Sequence, residues 1–102
     1  MTTIVVLFNL KDGVSEADYQ QWAKETDLPT AGALPSVDSF EVLRSQGLLM
    51  SDMTPPYQYI EILKVNDMAT FAKDVSSDVM TRVSAEFQHF ADNPMFILCE
   101  SL

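Results

Sequence analysis

The chain has 102 residues, 47% of them hydrophobic, with 15 acidic and 6 basic side chains and a formal net charge of −9. That length fits one domain with a modest core, and the apolar content excludes a disordered chain. The negative field excludes nucleic acid and membrane surfaces as partners.

The first run, TTIVVLFNL, is short and rich in β-branched residues, and it stops at the turn signal Lys11-Asp12-Gly13. It predicts a strand buried on both faces, or nearly so. Its apolar core, Ile4 to Phe8, is exceeded in length by no other such run and falls far below the ~18 residues of a membrane span. No basic, apolar leader precedes it, so a cytoplasmic protein is expected. Ser15, with Asp18 three residues on, predicts a capped helix start. Tyr19, Trp22, Ala23 and Thr26 follow at helical spacing. Pro29 then ends this helix near Leu28 or opens a new turn.

After Leu34-Pro35 the segment SFEVLR alternates, with Phe40, Val42 and Arg44 on one side and Glu41 and Leu43 on the other. Gly47 breaks it, and LLMSDMTPPYQ predicts a long loop. YQYIEILKV is the third strand, carrying Tyr57, Tyr59, Glu61 and Leu63 on one face. Asn66 is a suitable N-cap for a second helical region. Met68, Phe71, Ala72 and Val75 form its first stripe. Ser76-Ser77 interrupts it, and Val79, Val83, Phe87 and Phe90 resume the pattern. Asn93-Pro94 ends the helix, and MFILCESL is the fourth strand.

The order βαββαβ over residues 1–102 predicts a single ferredoxin-like α+β domain, an antiparallel sheet covered by helices on one face. Apolar residues on both faces of the sheet require a second cover. A homodimer joined through the sheet faces supplies it.

Chemistry must come from carboxylates, phenols, guanidinium and imidazole. There is no GxGxxG, no P-loop and no metal-ligand spacing, and one His with one Cys makes no zinc cluster. Cys99, inside an apolar run, is expected to be a buried structural thiol. Glu61, between isoleucines, is costly to bury unless paired. Arg44 is its expected cross-strand partner, as a structural ion pair or as a substrate anchor beside a proton-transfer group. Asp27 sits at a helix C-terminus, where the dipole disfavours it; it either shuttles protons or is solvated. Tyr57, Tyr59 and Trp22 either line a flat aromatic pocket or fill the core. His89 shares a stripe with Arg82 and Glu86 that favours the surface, with ligand contact as its functional alternative. Met68, Met80 and Met95 are expected to fill core gaps, and Met50 and Met53 to serve a lid or an interface.

The element order and the corner DLPTAGALPSVDSF resemble the dimeric α+β barrel superfamily, which includes cofactor-independent monooxygenases. In several branches a histidine precedes the proline at this corner. The resemblance puts Asp27 in that histidine's place and Ser36 in the place of a glycine, so a histidine-base mechanism does not carry over. From TTIVVLFNLKDGVSEADYQQWAKE to its end, the chain is similar to the RedY-like, HapK-type family of prodigiosin-type red pigment biosynthesis. That resemblance implies a role in forming the bipyrrole half of the pigment, by cofactor-free cyclisation and dehydration of an amino-ketone-type intermediate. It implies no metal, flavin or nicotinamide. Two other roles stay open at this point: a dimeric carrier of an unstable pyrrole intermediate, and a cofactor-independent monooxygenase.

Overall fold

The computed structural model describes residues 1–102. Four strands, β1 (Thr2–Leu10), β2 (Val37–Arg44), β3 (Tyr59–Val65) and β4 (Ala91–Cys99), form one antiparallel sheet in the order β2-β3-β1-β4. This is the ferredoxin-like arrangement that the element order predicts. Gly13, at φ 84°, supplies the left-handed residue of the turn after β1.

Strand alternation divides the sheet cleanly. Ile4, Val6 and Phe8 of β1 and Tyr59, Leu63 and Val65 of β3 are buried beneath the helices. Phe8 is fully enclosed, with its ring about 5–6 Å from those of Tyr19, Tyr59 and Phe87. The opposite face carries Val5, Leu7, Ile60 and Ile62 on the central strands, all half-buried. Leu43, Met95 and Ile97 on the outer strands are exposed. This face has no cover within the chain.

The first helical region departs from a plain helix. Helix α1 (Glu16–Trp22) begins at Ser15, whose hydroxyl accepts the Asp18 amide. It runs into a π-helical turn at Ala23–Asp27, closed by the Leu28 amide reaching back to the Ala23 carbonyl. Helix α2 (Leu28–Ala31) follows directly. Pro29 therefore opens a new turn, at a position where its missing N–H costs nothing.

The second region divides at Ser76-Ser77 as expected. Helix α3 (Met68–Asp74) gives way to α4 (Asp78–Phe90), whose N-cap is Ser77. Asp67 rather than Asn66 occupies the N-cap of α3. The Asn66 amide instead donates to the Pro35 carbonyl and the Asp38 carboxylate, so it ties two loops together. The buried stripe of α4 is Met80, Val83 and Phe87, while Val79 is exposed. Asn93-Pro94 does not end the helix. The helix stops at Phe90, and the pair lies inside β4 at a register irregularity, with Asn93 at φ 46°. Met80 alone of the expected gap-fillers is buried; Met68 and Met95 are exposed. Cys99 is half-buried, on the uncovered face.

Ser36 is fully buried before β2, and its amide and hydroxyl both donate to the Asp74 carboxylate, at 3.1 and 2.6 Å. Asp74→Ala strands both donors and is expected to cost about 1–3 kcal/mol. Ser36→Ala removes only one of them and costs less. Urea midpoints of the two variants check that ranking.

Candidate functional site

Asp27 is the clearest consequence of the π turn. At about 3.6 residues per turn, the eight steps from Tyr19 to Asp27 overshoot two turns. One wide turn takes up the excess and stacks Tyr19, Ala23 and Asp27 over the sheet, and all three are buried. Asp27 is 5% exposed and not solvated. Glu61, equally buried, comes up from β3 on the same side, flanked in register by Val6 and Val42.

The two carboxyl groups line one cavity of about 210 Å³, whose other walls are largely apolar: Ile4, Phe40, Met80, Val83 and Phe87 among them. That volume is below the ~300–1,000 Å³ of drug-sized ligand sites, so it suits a small ring or a short chain. The Tyr19 hydroxyl donates to Glu61 Oε2 at a long 3.5 Å. No side-chain polar atom is enclosed without a partner. The Asp27 oxygens, with no hydrogen bond from the protein, therefore open onto the cavity.

Burial dominates the electrostatics. Loss of hydration pushes Asp27 up to about 7. The same loss, helped by the Asp27 charge and opposed by the Tyr19 hydrogen bond, pushes Glu61 up to about 8. Tyr19 is also raised, first by burial and then by the charges of Glu61 and Asp27, and stays a neutral donor. Near neutral pH the cavity thus holds one predominantly protonated carboxyl beside one that exchanges its proton freely, an arrangement suited to paired acid and base work.

The expected Arg44–Glu61 pair is not formed. Arg44 stands opposite Tyr59, Val42 takes the place opposite Glu61, and Glu61 bonds to Tyr19. Arg44 lines a second cavity instead, with Tyr59. The Tyr59 hydroxyl donates to Glu16 and accepts from Gln20, both at 2.9 Å. Trp22 is a core residue that lines neither cavity. Its ring lies against Tyr19, Phe87 and Phe90, and its indole N–H donates to Glu86 at 2.9 Å. Tyr57 lies outside β3, its hydroxyl directed at Met95 Sδ. His89 is exposed on α4 and lines no cavity, because Met80, Val83 and Phe87 claim the inward face.

Tyr19 was absent from the expected site, although its spacing to Asp27 was legible. No group of three or more His, Cys, Asp or Glu is placed to hold a metal ion. No helix is long and apolar enough to cross a membrane.

The sheet order and its helix-covered site define a ferredoxin-like α+β protein, a class that includes dimeric members. The chain belongs to the family described as REDY-like protein HapK, whose profile matches residues 2–102. It is similar to the crystal structure of HapK from Hahella chejuensis, at 28% identity and TM-score 0.79, over 100% of this chain and 93% of that one. It shares its fold with SnoaB, a cofactor-independent oxygenase from Streptomyces nogalater, at 14% identity and TM-score 0.77, over 98% of this chain and 91% of that one. A dimeric ferredoxin-like protein from Thermobifida fusca matches at 12% identity and TM-score 0.75, over 98% and 90% of the two chains. No curated protein sequence matches.

Proposed function

We propose that the protein is a cofactor-free biosynthetic enzyme that assists ring closure and loss of water in making the bipyrrole half of a prodigiosin-type pigment. Family membership supports the pathway. The observation that carries the chemistry is the pair Asp27 and Glu61, held near 7 and near 8 and opening on one small apolar cavity.

In this reading an amine nitrogen of the intermediate attacks its own ketone carbon, so a C–N bond forms as the C=O π bond breaks. Glu61, protonated, gives its proton to the carbonyl oxygen. Asp27, ionised, takes the proton released from nitrogen. The resulting carbinolamine then loses its hydroxyl as water, with a second proton delivered to oxygen and one withdrawn from nitrogen, to leave a C=N bond. Amino ketone becomes cyclic imine plus water, with no oxidant needed. The apolar walls hold the chain folded for attack. The active unit is a homodimer closed over the uncovered sheet face, an arrangement consistent with dimeric relatives of this fold.

The likeness to SnoaB favours one alternative, an oxygen-using reaction. Turnover of the amino-ketone intermediate, with and without protein, in air and under nitrogen, separates the readings. The expected result is equal acceleration in both atmospheres. Acceleration confined to air makes the protein an oxygenase, and saturable binding with no acceleration makes it a carrier.

A further inference from the structure

The second cavity, of about 180 Å³, shares no lining residue with the first. Its walls are Tyr19, Ala23, Leu28, Val42 and Tyr59, and its polar rim is Gln20, Lys24 and Arg44. The chain has only 6 basic residues against 15 acidic ones, yet two of the six meet here and no acidic residue lines the cavity. Glu16, which lines a neighbouring cavity with Arg44, accepts from the Tyr59 hydroxyl at 2.9 Å. Gln20 spends its amide N–H on that same hydroxyl, which leaves its amide oxygen free. Lys24 and Arg44, both exposed, have no ion pair or hydrogen bond to any protein carboxylate.

Two unpaired cations over an apolar, aromatic floor are unexpected in a protein of net charge −9, where random placement would surround each with carboxylates. An arrangement of this kind costs repulsion between the two cations unless an anion joins them. Guanidinium binds a carboxylate through two parallel hydrogen bonds, and ammonium adds a point charge. Aromatic and aliphatic walls take up a flat ring.

The geometry points to a binding site for a small aromatic carboxylate in the cavity between α1 and the β2–β3 edge, with Arg44 and Lys24 on the carboxylate and Tyr19, Leu28 and Val42 against the ring. This assignment is separate from the proposed chemistry at Asp27 and Glu61, since Lys24 and Arg44 play no part in that reaction; Tyr19 connects the two sites, its ring in this wall and its hydroxyl on Glu61.

Calorimetric titration with pyrrole-2-carboxylate tests it, with pyrrole-2-carboxamide and inorganic phosphate as the two control probes. The carboxylate is expected to bind at one site per chain, at least about tenfold more tightly than either control. The double substitution Lys24→Gln with Arg44→Gln should weaken it about tenfold or more, as should raised salt, because the rim is open to solvent. Both side chains are exposed, so the variant is expected to fold, and an unchanged circular dichroism spectrum checks this. Carboxylate and carboxamide binding alike, phosphate binding as tightly as the ring acid, undiminished binding by the double variant, or no binding at all would each overturn the assignment. Loss of turnover in the Asp27 and Glu61 variants would leave it untouched.

Discussion

Glu61→Gln and Asp27→Asn are each expected to lower turnover by about 10²–10⁴-fold, and to raise stability at alkaline pH. The two effects have one cause. Each carboxyl is buried against apolar walls, with Asp27 raised from 3.8 to about 7 and Glu61 from 4.5 to about 8. Folding thus binds protons in that interval. The native state holds more protons than the unfolded chain, so stability falls as pH rises. Below about 4 both states are protonated and neither group contributes. Above about 8 the full penalty is present, on the order of 4 kcal/mol per group at about 1.36 kcal/mol per unit. Gln and Asn remove the ionisation and with it the penalty, at the expense of the proton transfer.

Thermal unfolding at pH 5, 7 and 9 measures this. The wild-type midpoint should drop across the series, and the Glu61→Gln midpoint should drop about half as far, because Asp27 still ionises. Equal slopes in wild type and both variants would show that these groups are solvated. Tyr19→Phe sharpens the test. It deletes the hydrogen bond that favours ionised Glu61, so it should move the alkaline limb of the pH–rate profile further up, whereas a merely structural role for Tyr19 would leave the limb in place.

The faces of β2 and β3 were legible because alternation in SFEVLR and YIEILKV separates the residues of one side from the other, and a one-residue slip would exchange them all. Glu61 was legible for the same reason, since the isoleucines on either side place it in a central strand. Its partner was not. Pairing Arg44 with Glu61 assumed a register that the length of the 47–56 connection does not determine, and the observed register moves Arg44 opposite Tyr59. Asp27 was half legible. The i, i+4 series Tyr19–Ala23–Asp27 is visible in the sequence, but Pro29 suggested a helix already ending, and local spacing gives no sign of a π turn that rotates the carboxylate inward. Trp22 and His89 show the usual limit. An aromatic ring on a helix stripe is spent on the nearest rings, here Phe87 and Phe90, and the direction of a stripe is settled only when its neighbours claim the core.

Ile60→Glu is expected to convert a dimer into monomers without disturbing the fold. Ile60 lies on the uncovered face, beside Leu7 of β1 and Leu43 of β2, and Leu7 in turn pairs with Met95 of β4. These residues, with Val5, Ile62 and Ile97, make one contiguous apolar surface. Single exposed apolar residues are ordinary, but a continuous patch across four strands marks a contact surface. Isologous pairing would place each Ile60 side chain inside the seam twice, once per subunit. An unpaired carboxylate buried there costs about 3–5 kcal/mol, so two of them weaken association by about four to seven orders of magnitude. Sedimentation equilibrium should give twice the chain mass of 11.4 kDa for the wild type and a single mass for the variant. The cavity with Asp27 and Glu61 is on the opposite face of the sheet, so the monomer should keep its pH-dependent unfolding slope. A variant that stays dimeric would place the interface elsewhere, and a monomeric wild type would leave this face to solvent.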